Sequence, residues 1–195
     1  MILSNSARRQ RGFSLVEVMV SVLVTSVSVV GMAGMQVTSK RAGYEAIQRT
    51  TATAMAMDVL ERMRSNPRAV DSYAVLGLGN STIAGEPSPN CSNNTTEICT
   101  AAQLAAHDLW EWEQTIDGLA ETRDVSGTEV ATGGLLNPTG CIEVSGGMVT
   151  VTMAWQGFEA LSDPGSNTCG SGLGKYGDGD AKRQVISVTT FITEG

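Results

Sequence analysis

The chain has 195 residues, of which 42% are hydrophobic and 17% charged, and its formal net charge is −7. This length fits one globular domain with an appendage. The first 12 residues hold three of the 13 basic residues and none of the 20 acidic ones, so residues 13–195 carry a net charge of −10. Such acidity disfavours binding to nucleic acid through phosphate contacts, and we expect no direct nucleic-acid partner.

A long apolar segment follows the basic N-terminus. Gly12 ends the basic part, and residues 13–37 then contain a single charged side chain, that of Glu17. About 20 apolar residues in a helix cover the ~30 Å hydrocarbon core of a bilayer, so this segment is long enough to span one. An acidic side chain at the centre of such a helix costs roughly 2.5–3.5 kcal/mol, which makes Glu17 a functional candidate. The positive-inside rule places the N-terminus in the cytoplasm and residues 38–195 outside.

The helical pattern continues beyond the apolar segment. Apolar side chains recur at intervals of three and four through residues 38–65, with charged side chains between them. Pro67 ends the pattern, because the residue before a proline is driven out of the α-helical region. The sequence therefore predicts one helix from Phe13 to about Ser65, apolar all round in its first half and amphipathic in its second.

The remaining residues predict a small α+β domain. A capping box at Thr100 and Gln103 predicts a second helix that ends near Leu119. Because Trp110 and Trp112 are two apart on that helix, we expect at least one of them to face outward. Residues 67–100 are predicted to be mostly loop, with a short apolar element at Tyr73–Leu76. A Gly-rich turn precedes residue 141, and strands follow at 141–144 and 148–155, joined by Gly146-Gly147. A long loop at 157–183 leads to a final strand at 184–192. This order predicts an α+β fold in which the long helix covers one face of a small antiparallel sheet.

Four cysteines lie in the part of the chain that is predicted to be exported: Cys91, Cys99, Cys141 and Cys169. No two have Cys-x-x-Cys spacing, and the single histidine cannot complete a zinc cluster, so we expect no metal and no cofactor. In an oxidising compartment two disulfides are the natural interpretation. Three pairings are possible, and we favour Cys91–Cys99 with Cys141–Cys169 because each closes a loop between nearby segments.

The segment Arg11-Gly12-Phe13-Ser14-Leu15-Val16-Glu17 resembles the prepilin signal of type IV pilins and of type II secretion pseudopilins. The resemblance implies that a membrane-embedded prepilin peptidase cuts between Gly12 and Phe13 and methylates the new α-amine of Phe13. It implies a leader at residues 1–12, a transmembrane and fibre-core segment at 13–37 and a periplasmic globular domain at 38–195, of which 38–65 form the second half of the long helix. In this family Glu17 would neutralise the α-amine of a neighbouring subunit and so direct assembly.

Two glycines in the apolar segment, Gly31 and Gly34, have two interpretations. Small residues three apart favour close packing of helices in a membrane. The resemblance to pilins instead suggests a locally weakened helix, although many major pilins have proline at the position of Gly34.

Three later segments resemble minor pilins of the PilV kind, which are type IV pilus modification proteins. They are Met63-Arg-Ser-Asn-Pro67, Asp108-Leu-Trp-Glu-Trp112 and Val149-Thr-Val-Thr-Met-Ala-Trp155. The resemblance implies a pilin fold and a structural subunit with no enzymatic activity, which assembles with other major and minor pilins. It implies roles in pilus assembly or initiation and hence in twitching motility, adhesion and DNA uptake. The protein would lie in the bacterial inner membrane as a single-pass protein before assembly, and in the fibre at the cell surface afterwards.

Two alternatives share the same N-terminal signal. A minor pseudopilin of a type II secretion system would have the same topology, and the motif does not separate the two. An adhesin at a pilus tip would use the Gly-rich loop at 157–183 as its receptor surface. An enzyme, such as a membrane-tethered hydrolase, lacks a nucleophile and base pair in this sequence.

Overall fold

The structure is a computed structural model that describes residues 12–79, 82–83, 85–92, 98–119, 121–131, 133–160 and 165–193. Residues 1–11 of the predicted leader lie outside the described residues. The chain divides into two compact units, Met1–Gly43 and Tyr44–Gly195. The observed elements, a long N-terminal helix followed by a small antiparallel sheet, confirm the predicted α+β pilin fold.

The described part of the first unit consists of residues 12–14, which are not helical, and the start of helix α1, which runs over Leu15–Ser65. Every described residue from Gly12 to Gly43 is exposed to solvent. By length and composition, one helix among the described residues could cross a membrane, and that helix is α1. The predicted helix is thus confirmed, with its first residue two positions after Phe13.

In the second unit α1 buries one face against a hydrophobic core. The buried residues recur every three or four positions, as expected for an amphipathic helix: they are Ala52, Met55, Ala56, Val59, Leu60 and Met63. Asn66 leaves the helical region with φ −128° and ψ 56°, and a short 3₁₀ helix, Pro67–Tyr73, follows. The predicted stop at Pro67 is confirmed.

Four antiparallel strands form the main sheet, in the order β1-β4-β5-β6. Their bounds are β1 Val75–Leu78, β4 Thr139–Ser145, β5 Met148–Gln156 and β6 Arg183–Phe191. Gly146 and Gly147 form the turn between β4 and β5 with φ of 58° and 81°, a conformation that glycine adopts without steric cost. The predicted strand–turn–strand unit and the final strand are confirmed, and β1 overlaps the short apolar element predicted at Tyr73–Leu76.

Helix α2, Ala101–Ile116, begins at the predicted capping box, in which Thr100 and Gln103 bond reciprocally. Trp112 lies in the core and its indole N–H donates to the Met55 carbonyl of α1 at 2.9 Å. A Cβ on Gly140 would lie 2.6 Å from the Trp112 ring, so only glycine permits this close approach of α2 to the sheet. Trp110 is partly exposed, as the prediction for the two tryptophans requires.

The predicted Gly-rich turn before residue 141 contains a two-stranded ribbon that the prediction missed. Strands β2, Thr122–Val125, and β3, Thr128–Ala131, pair antiparallel. Ser126 and Gly127 join them with φ of 57° and 83°, as a tight hairpin turn with two positive φ angles requires. The described side chains of both strands are exposed, so the ribbon has no apolar alternation that would have revealed it.

Two disulfides fasten the loops of the second unit. They join Cys91 to Cys99 and Cys141 to Cys169, which are the pairs that the sequence favours. The second bond holds the loop after β5 against the outer face of the sheet. Buried Arg183 holds the same loop, since its guanidinium donates to the carbonyls of Cys169 and Asn167, each at 2.7 Å.

A network of charged side chains links the last turns of α1 to α2. The Arg62 guanidinium contacts Asp58 at 3.0 Å, Glu111 at 2.5 Å and Asp108 at 3.4 Å. Burial lowers the pKa of Arg62, but its hydrogen bond to Glu111 and the charge of Asp58 outweigh burial, and the net pKa is raised. Tyr73 donates its hydroxyl to Asp108, and burial together with this bond raises the pKa of Tyr73. The network keeps α2 on α1 through partners that lie far apart in the chain.

Glu113 of α2 is fully buried and organises the loop after β1. Its carboxylate accepts the backbone N–H groups of Gly79 at 2.9 Å, Thr82 at 2.6 Å and Ile83 at 2.7 Å. Replacing Glu113 with leucine would leave these three donors without an acceptor. We expect Glu113→Leu to lower the free energy of unfolding by about 3 kcal/mol, measured by urea unfolding of the full chain followed by tryptophan fluorescence.

The control for this prediction is Glu113→Gln, which keeps one carbonyl oxygen as an acceptor. We expect its loss of stability to be clearly smaller than that of Glu113→Leu. Equal stability of the leucine variant and the wild type would show that the loop does not depend on this carboxylate.

Candidate functional site: an exposed apolar helix with one carboxylate

The three residues just before α1 have no regular secondary structure. Gly12, Phe13 and Ser14 are not helical, and the first backbone bond of the helix joins Val18 N–H to the Ser14 carbonyl at 3.2 Å. Phe13 is 83% exposed, and a Cβ placed on Gly12 would meet no atom within 4 Å. The bond between Gly12 and Phe13 is therefore in an open, non-helical stretch next to the apolar helix, where a peptidase has access to it.

Glu17 lies in the first turn of α1 and is exposed. A carboxylate in this turn is favoured by the partial positive charge of the helix N-terminus. No other charged residue occurs between Phe13 and Ser39. In lipid, or among other apolar helices, the carboxylate needs a cation as a partner, since an unpaired charge is costly in such surroundings.

The apolar side chains of this segment cover the helix on all sides. Between Phe13 and Val37 the large apolar side chains that are more than half exposed are Phe13, Leu15, Val16, Val18, Met19, Val20, Val22, Leu23, Val24, Val27, Val29, Val30, Met32, Met35 and Val37. A soluble helix would bury one such face, so this segment requires a bilayer or other helices as its surroundings.

The hydroxyl groups of Ser21, Thr25, Ser26 and Ser28 are satisfied within the helix itself. Ser21 donates to the Glu17 carbonyl at 2.6 Å, and Thr25 donates to the Ser21 carbonyl at 2.7 Å. Ser28 donates in the same way to the Val24 carbonyl at 2.8 Å. Internal bonds of this kind let serine and threonine enter lipid without an unpaired donor. Glu17 is the charged side chain of the segment, and no bond within the helix neutralises its charge.

Helix α1 continues through Gly31 and Gly34. A Cβ at either position would meet no other atom within 4 Å. With Thr38, Ser39 and Ala42 these glycines line a shallow groove beside the larger side chain of Met35, and small residues at this spacing suit close packing against another helix.

The other residues that the sequence singled out belong to the second unit. The four cysteines lie in the second unit, paired as described above. His107 is buried, 3.4 Å from the Glu86 carboxylate, and among the described residues no group of His, Cys, Asp or Glu could hold a metal ion. Sequence reasoning missed Arg62, Glu113 and Arg183, because each bonds to partners far away in the chain and no local pattern marks such a residue.

Two models of known protein families match the sequence of this chain, one after the other. A model of the prokaryotic N-terminal methylation motif matches residues 7–33, and a model described as type IV pilin Tt1218 matches residues 34–110. No curated protein and no solved structure matches the chain.

Proposed function

Since this chain is a type IV pilin with a prepilin signal, we propose that it works as a minor pilin, of the PilV kind, in the assembly of a bacterial type IV pilus. Type IV pilins are structural subunits and not enzymes. A pilin with this signal is processed by the prepilin peptidase and assembles with other pilins. We further propose that the peptidase cuts between Gly12 and Phe13, that Glu17 pairs with an α-amine of a neighbouring subunit, and that the chain is a minor component of the pilus.

The observation that carries the proposal is the exposed apolar helix with a single carboxylate in its first turn, directly after an accessible Gly12-Phe13 bond. Cleavage at this bond would free the α-amine of Phe13 at the start of the helix. The peptidase would then methylate that amine. The amine would be the cation that Glu17 needs, supplied by a neighbouring subunit, because burying the pair costs far less than burying either charge alone.

The same helix would hold the protein in the inner membrane before assembly. Residues 13–37 would span the bilayer and residues 38–195 would lie in the periplasm, since the arginines of the leader favour the cytoplasm. The two disulfides support this placement, because disulfides persist in oxidising compartments such as the periplasm. On assembly, the helix would exchange lipid for other pilin helices.

Deleting the gene that encodes this chain tests its proposed role in pilus assembly. We expect piliation and twitching motility to fall strongly and extracellular enzyme secretion to stay unchanged, with recovery when the full chain is supplied. Sheared fibres, motility zones and secreted enzymes are measured in the same strains.

The alternatives predict other results. Loss of secretion with normal piliation would identify a type II pseudopilin and would contradict the proposal. Normal piliation with loss of adhesion would instead identify a pilus-tip adhesin.

A further inference from the structure

Four exposed apolar side chains lie together at one end of the second unit. Tyr44, the first residue of this unit, and Ile47 are one turn apart in α1. Leu136 precedes β4 and Phe158 follows β5. The rings of Tyr44 and Phe158 are 5.9 Å apart, so the helix and the loop after β5 meet here. We call Tyr44, Ile47, Leu136 and Phe158 the apolar rim.

Hydrogen bonds fix the segments of the apolar rim to one another. The Leu136 N–H donates to the Gln48 side chain of α1 at 3.3 Å, and the Gln156 N–H at the end of β5 donates to the Leu136 carbonyl at 2.8 Å. Although their rings are in contact, Tyr44 is 59% exposed and Phe158 is 49% exposed. A cluster of apolar side chains that is held in place and left exposed is typical of a contact surface for a protein or a membrane.

The rim follows the apolar segment of α1 closely in the chain. Lys40 and Arg41 are the first charged residues after Glu17, and basic side chains at the end of a membrane-spanning helix reach the surface of the bilayer. Tyr44 follows Arg41 by three helical residues, a rise of about 4.5 Å. The headgroup layer of each leaflet is about 5–8 Å thick. Tyr44 is therefore expected at the depth of the headgroups, where tyrosine is enriched because its ring is apolar and its hydroxyl polar.

We propose that the apolar rim lies in the lipid headgroup layer of the membrane that anchors the chain, so that phospholipid covers these side chains before assembly. Apolar side chains that enter this layer bind in proportion to the apolar area they bury. Glu159 follows Phe158 directly and is exposed, so attraction to anionic headgroups would not by itself hold this loop. The contact is therefore mainly apolar.

The short connection to the anchor favours lipid over a protein as the occupant of the rim. Three helical residues hold Tyr44 at the level of the headgroups, and lipid is present at that depth at a high effective concentration before any partner protein arrives. The inference goes beyond the proposed function, since it assigns a lipid contact to the second unit. It rests on the proposed membrane anchor and would survive if the minor role in the pilus were wrong.

Two exposed phenylalanines at opposite ends of the second unit provide a matched pair of probe positions. Phe158 belongs to the rim, whereas Phe191 follows Thr190, whose hydroxyl accepts a hydrogen bond from Arg64 at 2.9 Å. Arg64 is 20 residues after Tyr44 in α1, which is about 30 Å of helix. Phe191 is 62% exposed and therefore tests exposure without closeness to the rim.

Fluorescence quenching in a bilayer measures the contact. The four native cysteines are paired, so Phe158→Cys and Phe191→Cys each provide one reactive thiol for an apolar dye. The full-length proteins are placed in vesicles of phosphatidylethanolamine and phosphatidylglycerol, some of which carry a spin label on the lipid headgroup. We expect the headgroup label to quench the dye severalfold more at position 158 than at position 191. Iodide in the water should quench in the opposite order.

Removing the apolar side chains of α1 from the rim tests their part in the contact. Tyr44→Ser combined with Ile47→Ser is expected to abolish most of the headgroup quenching at position 158, because less apolar area then enters the lipid. Met148→Ser is the control, since Met148 is also exposed but pairs with Phe191 at the far end of the sheet. We expect the control to leave the quenching unchanged. Mapping of the two native disulfides shows whether each variant is folded.

Flotation of the vesicles separates failure of this inference from failure of the proposed anchor. Equal headgroup quenching at positions 158 and 191 in chains that float with the vesicles would overturn the lipid contact and leave the anchor in place. Shielding of position 158 from both the headgroup label and iodide would place another protein against the rim and would also overturn it. A chain that does not float with the vesicles would overturn the anchor, and the lipid contact with it.

Discussion

Replacing Glu17 with valine is expected to leave cleavage and methylation intact and to remove most of the protein from the fibre. The carboxylate lies in the first turn of α1 and carries the one charge of residues 13–39, and it would neutralise the α-amine of a neighbouring Phe13. Removing one partner of a buried ion pair costs about 3–5 kcal/mol, which corresponds to a factor of roughly 100 or more in the equilibrium for entering the fibre.

The measurement is the ratio of this protein in sheared fibres to that in membranes, by quantitative immunoblot. Ser21→Ala is the matched control, since its hydroxyl bonds only to the Glu17 carbonyl of its own helix and its loss should leave the ratio unchanged. A Glu17→Val protein that enters fibres as well as the wild type would contradict the pairing of charges.

Replacing Gly12 with valine is expected to block processing. A Cβ at position 12 meets no atom of the protein within 4 Å, so the substitution should leave the fold unchanged and act on recognition by the peptidase. The uncleaved chain would keep the leader with its three arginines ahead of the apolar helix. Such charges cannot enter a fibre core without partners, and the protein should stay in the membrane.

Intact-mass measurement of the membrane protein checks this prediction. The Gly12→Val chain should retain residues 1–12, whereas Gly12→Ala, which adds only one methyl group, should still be cut in part. Complete cleavage of the valine variant would show that the cut lies elsewhere.

The fold could be predicted from the sequence wherever the signal is local. The apolar run with its stop at Pro67, the capping box at Thr100 and the Gly146-Gly147 turn each lie within a few residues, and each predicted element is present. The β2–β3 ribbon was missed because its strands are short, charged and exposed, so no alternation of apolar and polar side chains marks them. Strand β1 was predicted only as a short apolar element, because its pairing with β4 is distant in the chain.

The candidate site could be predicted almost entirely, because its residues are consecutive. Gly12, Phe13 and Glu17 lie within six residues, and their spacing carries the resemblance to the prepilin signal. The structure adds that the Gly12-Phe13 bond is accessible and that the serine and threonine hydroxyls near Glu17, those of Ser21 and Thr25, are bonded within the helix. By contrast, the buried roles of Glu113 and Arg183 depend on how loops return to the sheet, and residue types alone do not reveal this.

Mass spectrometry of the N-terminus tests the central claim most directly. Sheared fibres and membranes are compared in strains with and without the prepilin peptidase. The account predicts that fibres contain a chain that begins at a methylated Phe13 and that membranes without the peptidase contain only the chain with residues 1–12 attached. A chain found in fibres with its leader intact, or one cut at another bond, would contradict it.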